Sequence, residues 1–176
     1  MSSGRWIAAL NALVYITVAL AVTFLPPVDN LQRLRAGVYT AYFSWGVVSA
    51  DGSHAYANVR GYEVAVNLWK AVTCNPSGRC ASQNFDVIEL YMQLRASSAL
   101  SIEGVGGGCY KIELRPTAIA QREISAKGVL CLDQNGAPRW LNVTLVIDGK
   151  DMDLAGSPIK VTNAFLYDRY VAIHGD

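Results

Sequence analysis

Charge is scarce in this chain. Only 16% of its 176 residues are Asp, Glu, Lys or Arg, where a soluble domain carries about 25%. The 15 basic and 14 acidic residues leave a net charge of +1 and are interspersed. No basic stripe is present to neutralise a phosphate backbone, so nucleic-acid binding is not expected. Histidine is limited to His54 and His174, and the spacing of the cysteines lacks the two-residue pairs of a zinc site. Gly104-Val105-Gly106-Gly107-Gly108 lacks both the final glycine of a dinucleotide fingerprint and the Lys-Ser/Thr of a phosphate loop. It reads as a hairpin connection. No nucleophile-elbow pattern occurs, and His54 beside Asp51 and Ser53 reads as an exposed turn residue. No cofactor is expected, and the chain does not read as an enzyme.

What the chain has in excess is apolar residues, 52% of the total, which excludes disorder. Part of that excess is one uncharged run, Trp6 to Leu25. As a helix it would cover the roughly 30 Å hydrocarbon core of a bilayer. Trp6 suits the interface at one end, and Pro26-Pro27 stops a helix at the other. The alternative is a cleaved secretory signal, with Arg5 as its basic region and Ala19-Leu20-Ala21 as a small-x-small site. A retained anchor is the reading favoured by the run's continuation past that site. No later run could cross a bilayer as a helix. The domain plan is therefore a membrane-spanning segment and exit linker at residues 1–35, then one β-rich domain at 36–176.

The four cysteines, Cys74, Cys80, Cys109 and Cys131, form an even set in a membrane-directed chain, which reads as disulfides. Asn75-Pro76-Ser77-Gly78 between the first two favours a tight turn. We pair Cys74 with Cys80 and Cys109 with Cys131, although four cysteines allow three pairings. The domain is accordingly expected outside the cytoplasm, as part of a single-pass membrane protein, or at the cell surface or secreted if residues 6–25 are removed. Asn142-Val143-Thr144 is a glycosylation acceptor pattern inside a strand-like run. Asp148, Asp151 and Asp153 around Gly149 are a candidate Ca²⁺ site, since carboxylates suit a hard cation. The one-three-five spacing and distal Glu of a calcium loop are absent, so a solvated acidic turn is preferred.

Runs rich in β-branched and aromatic residues dominate the body. Val38 to Val48 and Tyr62 to Val72 read as neighbouring strands joined through the turn at Asp51-Gly52. Phe85 to Leu100 fits two patterns: Ile88, Leu90, Met92 and Leu94 alternate as in a strand, while Phe85, Ile88, Met92 and Ala99 fit a helical face. Val87 to Leu94 is read as a strand, and Cys109 to Leu114 as another that stops at Pro116. Lys127 to Leu132 and Arg139 to Ile147 form a pair across Asn135-Gly136. Pro158 to Ala164 and Leu166 to Ile173 complete about seven strands. The fold class is mainly β: an N-terminal transmembrane helix followed by a single antiparallel sandwich or barrel.

Trp45, Leu68-Trp69, Cys74 and Cys80, with Pro27-Val28-Asp29 before them and Leu94-Arg95-Ala96 and Ala99-Leu100 after, resemble the first extracellular loop of claudin-type and amastin-type tetraspan proteins. The likeness covers roughly the first hundred residues. It departs where a second span should begin, because Glu103, the glycines and Lys111 interrupt the apolar stretch. It implies a disulfide-braced loop and no function. The layout of a helix followed by a β head is similar to that of archaeal pilins. The expected role is a non-enzymatic, membrane-anchored structural subunit of a surface filament or larger membrane complex. Its partners are lipid, through residues 6–25, and other subunits or copies of itself. The alternative is an extracytoplasmic ligand- or Ca²⁺-binding β-module.

Overall fold

The computed structural model describes residues 38–175, apart from 52, 68, 75, 85–92, 94–95, 120–121, 135–136 and 148. The membrane-directed run 6–25 and its linker lie outside the described residues. Among those described, no helix is long and apolar enough to cross a membrane.

Two antiparallel sheets form a sandwich. The first contains β1 (Tyr39–Phe43), β2 (Gly46–Ala50), β3 (Ala55–Val59), β4 (Tyr62–Val66), β5 (Lys70–Cys74) and β6 (Cys80–Asn84), joined in sequence order. The second contains β7 (Leu100–Gly106), β8 (Cys109–Ile119), β9 (Arg122–Leu132), β10 (Pro138–Ile147) and β11 (Lys150–Gly156). The chain then returns to the first sheet, where β12 (Lys160–Thr162) pairs with β1. A helix, α1 (Tyr167–His174), ends the fold.

Each sheet is a meander because its connections are short and carry turn chemistry. Arg60 and Gly61 have φ of 51° and 87°, the signature of a two-residue type I′ hairpin, whose twist matches that of the strands. Gly107 and Gly108, with φ of 62° and 74°, make the same turn between β7 and β8. The glycine run is therefore a hairpin, as expected. Gly128 has another role: a Cβ there would stand 2.0 Å from the carbonyl oxygen of Asn142, so only hydrogen lets β9 and β10 meet.

The core lies between the sheets. Tyr39, Phe43, Val48, Val59, Val64 and Val66 of the first meet Leu100, Ile112, Leu114, Leu130, Leu145 and Leu154 of the second. On β4 the alternation is direct, since Val64 and Val66 face this core while Ala65 is buried on the opposite side. That second buried face exists because α1 covers it. Tyr56, Ala65 and Tyr170 form a separate cluster, packed by Val47, Phe165, Leu166, Val171 and Ile173.

Several expectations are corrected. The runs 38–48 and 62–72 are each two strands, turning at Ser44-Trp45 and at 67–69. The turn after Asp51 leads to β3, which separates the two runs in the sheet. The strand expected at 87–94 lies outside the described residues except for Gln93, which is helical and accepts the Ser97 N–H at 3.0 Å. β8 passes Pro116 through a register shift between Leu114 and Thr117, the irregularity that lets proline sit in a strand. Residues 166–173 form no strand. Tyr167, Tyr170, Val171 and His174 recur at helical spacing, and tertiary packing of that face makes a helix of eight residues worthwhile.

Candidate functional site

Both expected disulfides are present, Cys74–Cys80 and Cys109–Cys131. Each joins directly opposed positions of neighbouring strands, β5 with β6 and β8 with β9. The guanidinium of Arg139 braces the second, its Nη2 donating to the Gly107 carbonyl at 2.8 Å and lying 3.8 Å from Cys109 Sγ.

Asp148 lies outside the described residues. Asp151 and Asp153 occupy alternate, exposed positions of β11. The carboxylate of Asp153 accepts a hydrogen bond from the Thr144 hydroxyl at 2.8 Å. Among the described residues no group of three or more His, Cys, Asp or Glu is arranged to hold a metal ion. Asn142 is exposed in the middle of β10.

The densest polar and aromatic arrangement lies where α1 crosses the outer face of the first sheet. Thr40 and Ser49 are directly opposed on β1 and β2, fully buried, with hydroxyl oxygens 2.7 Å apart. Ser49 Oγ accepts the Leu166 N–H at 3.0 Å, and the Thr40 hydroxyl donates to the Ala164 carbonyl. The pair therefore satisfies the backbone of the segment entering α1, which offers no side-chain cap of its own.

Further along, both histidines of the chain flank Tyr170. The ring of His54 meets it edge-on at 5.0 Å and that of His174 stacks on it at 4.8 Å. Phe165 and Tyr167 complete the aromatic group. The backbone carbonyl of Lys70 accepts from His174 Nε2 at 3.2 Å, which sets that nitrogen as the protonated one. Lys70 Nζ donates to the His174 carbonyl at 3.0 Å. Glu63 accepts from both the Tyr56 hydroxyl and the Arg169 guanidinium. Burial and the hydrogen bond to Glu63 raise the Tyr56 phenol above its ordinary pKa.

His54 is thus less exposed than its turn position implied, with 35% of its side chain accessible. Asp51 Oδ2 lies 2.9 Å from its Nδ1, the first two members of a catalytic-triad arrangement. Among the described residues no serine, threonine or cysteine hydroxyl or thiol is hydrogen-bonded to the His54 ring; it faces Tyr170 and Phe165 instead. The pair ties the β2–β3 turn to α1. This cluster is hidden in the sequence because the strand-like composition of 166–173 masks the helical face that assembles it.

The chain matches no protein-family model, and no curated protein is significantly similar to it.

Proposed function

We propose that this protein is a non-enzymatic, membrane-anchored structural subunit. Residues 6–25 hold it in a bilayer. The sandwich, on the extracytoplasmic side, contacts copies of itself or other subunits of a surface filament or membrane complex.

The observation that carries this reading is the β12 edge of the first sheet. β12 is three residues long and, among the described residues, has a strand neighbour on one side only. Ile159 and Val161 there expose 76% and 41% of their surface. An edge of free backbone groups flanked by exposed aliphatic side chains is a template for an added strand. The two disulfides support the extracytoplasmic placement, since such bonds persist in oxidising compartments.

Gentle detergent extraction, followed by light scattering and electron microscopy, tests the proposal. An oligomer, a filament or a co-purifying complex is expected, and Ile159→Asp should weaken it. A protein that is monomeric at every concentration and in native membranes overturns the reading.

A further inference from the structure

Paired residues Tyr39, Ala50, Ala55, Val66 and Ala71 run in a row across β1 to β5 and mark one end of the first sheet. Beyond that row lie Val38, the turn from Asp51 to His54, and the turn that carries Trp69. Trp69 is 61% exposed and Val38 43%. Adjacent strands lie about 4.8 Å apart, which places these two side chains some 15–20 Å from each other along the sheet end.

The indole is held out on a braced turn. Asn67 Oδ1 accepts the N–H groups of Trp69 and Lys70 at 2.9 and 2.8 Å, and the Asn67 N–H donates to the Lys70 carbonyl at 3.0 Å. Lys70 is in turn joined to the last residue of α1 through both its carbonyl and its Nζ. The neighbouring turn repeats the device, with Asp51 Oδ1 accepting from Ser53 and His54. The exposed indole, on a turn braced through its backbone, is available to a partner that takes up an amphipathic ring.

The chain enters the domain at this same end, through Val38. Residues 26–37 separate it from the apolar run and, fully extended, span at most ~40 Å. From this we infer that the end bearing Trp69 and Val38 docks on the headgroup region of the bilayer that holds residues 6–25. Indole rings partition to that region because one edge is apolar and the other donates a hydrogen bond. The inference rests on the anchored reading above. It leaves the β12 edge, at the flank of the sheet, free for neighbouring subunits.

The test uses the full chain reconstituted in phosphatidylcholine vesicles, with tryptophan fluorescence read against lipids brominated near the headgroup. The chain has four tryptophans, so one variant keeps only Trp69 (W6F, W45F and W140F together) and a second keeps only Trp140. Trp69 emission should move to shorter wavelength and lose about half its intensity on bromolipid, with Trp140 unaffected. Trp45 stacks on Phe43 at 4.6 Å, so the triple change could unfold the domain. The single change W69F in the otherwise natural chain then gives the answer, by removing the quenched component that Trp6 does not supply. Unquenched Trp69 in a chain that resists alkaline extraction overturns this inference and leaves the anchor standing, as does equal quenching of Trp140. A chain washed off by alkali overturns both.

Discussion

Asp51 grips His54 from two directions. Its Oδ1 accepts the His54 backbone N–H at 2.7 Å, and its Oδ2 lies 2.9 Å from the ring Nδ1. Burial alone would raise the Asp51 pKa. The hydrogen bonds from the His54 ring and from the Ser53 and His54 amides outweigh it and hold the carboxyl below its ordinary value. A group with a depressed folded pKa contributes stability that is present above the unfolded value and lost as pH falls through the folded one. Thermal melting should therefore show stability declining with acidification below the usual carboxylate range. Asp51→Asn, which keeps the Oδ1 acceptor, should flatten that decline. Asp51→Ala should cost about 1–2 kcal/mol at neutral pH, because it also leaves two turn amides without their acceptor.

At Gly128 the demand for hydrogen is steric. An added Cβ would meet the Asn142 oxygen at 2.0 Å and the Val143 Cα at 2.6 Å, both backbone atoms of the neighbouring β10. Gly128→Ala should cost ~3 kcal/mol or more, or prevent folding, because β9 and β10 must separate. Gly78, at φ of 81° with nothing near its missing Cβ, supplies the contrast. Gly78→Ala should cost only about 1 kcal/mol, from backbone strain. Urea denaturation of the two variants reads the difference.

The two disulfides should not be equal. Cys74–Cys80 closes a loop of sequence separation 6, and Cys109–Cys131 one of 22. Loop-closure entropy assigns roughly 2 kcal/mol to the first and about 3 kcal/mol to the second. C109A/C131A should therefore unfold at lower denaturant than C74A/C80A. Equal midpoints would show that the strand pairing across both bonds persists in the unfolded ensemble.

The disulfides and the β-sandwich class were legible because each rests on local chemistry: cysteines across short turns, and alternating apolar residues between glycine- and asparagine-rich breaks. Strand boundaries were less so. Ser44-Trp45 carries no strong turn signal, so β1 and β2 read as one run, and Gly46 alone punctuates it. The 166–173 segment failed for another reason. Val171 and Ile173 look like strand residues, and the spacing of Tyr167, Tyr170 and His174 competes with that composition. The decision is made by Tyr56 and Ala65, more than a hundred residues earlier, which offer a face for Tyr170 to cover. With α1 misread, the approach of both histidines to Tyr170 could not be seen.

Tyr39 is 1% exposed, and its hydroxyl has no hydrogen-bond partner among the described residues. Burial, and then the charge of Asp133, raise its pKa well above the ordinary phenol value. A raised folded pKa means stability that is complete below the unfolded value and lost as pH climbs past it. Titration followed at 295 nm should show Tyr39 among the tyrosines that ionise only as the protein unfolds in alkali. Tyr39→Phe should remove that component and move the alkaline midpoint upward. At neutral pH it should be neutral or stabilise by up to about 1 kcal/mol, since an unpaired buried hydroxyl is removed.

Ser49 and Thr40 test whether α1 is held by a few polar contacts or by its aromatic face. Each hydroxyl has one proton. With Thr40 donating to the Ala164 carbonyl, the single Ser49 proton is shared between the Thr40 oxygen at 2.7 Å and the Tyr39 carbonyl at 3.1 Å, while Ser49 Oγ accepts from Leu166. Ser49→Ala leaves the Leu166 amide without its acceptor and should cost about 1–3 kcal/mol. Thr40→Val should cost a similar amount through the Ala164 carbonyl. Because the two share one hydrogen bond, the double variant should cost less than the sum of the singles, by ~0.5–3 kcal/mol in a double-mutant cycle. Hydrogen exchange separates local from global effects: in Ser49→Ala the amides of α1 should lose protection while those of β9 and β10 keep theirs. Uniform loss across both sheets would show that α1 is an integral layer of the sandwich, held mainly by the Tyr170 cluster.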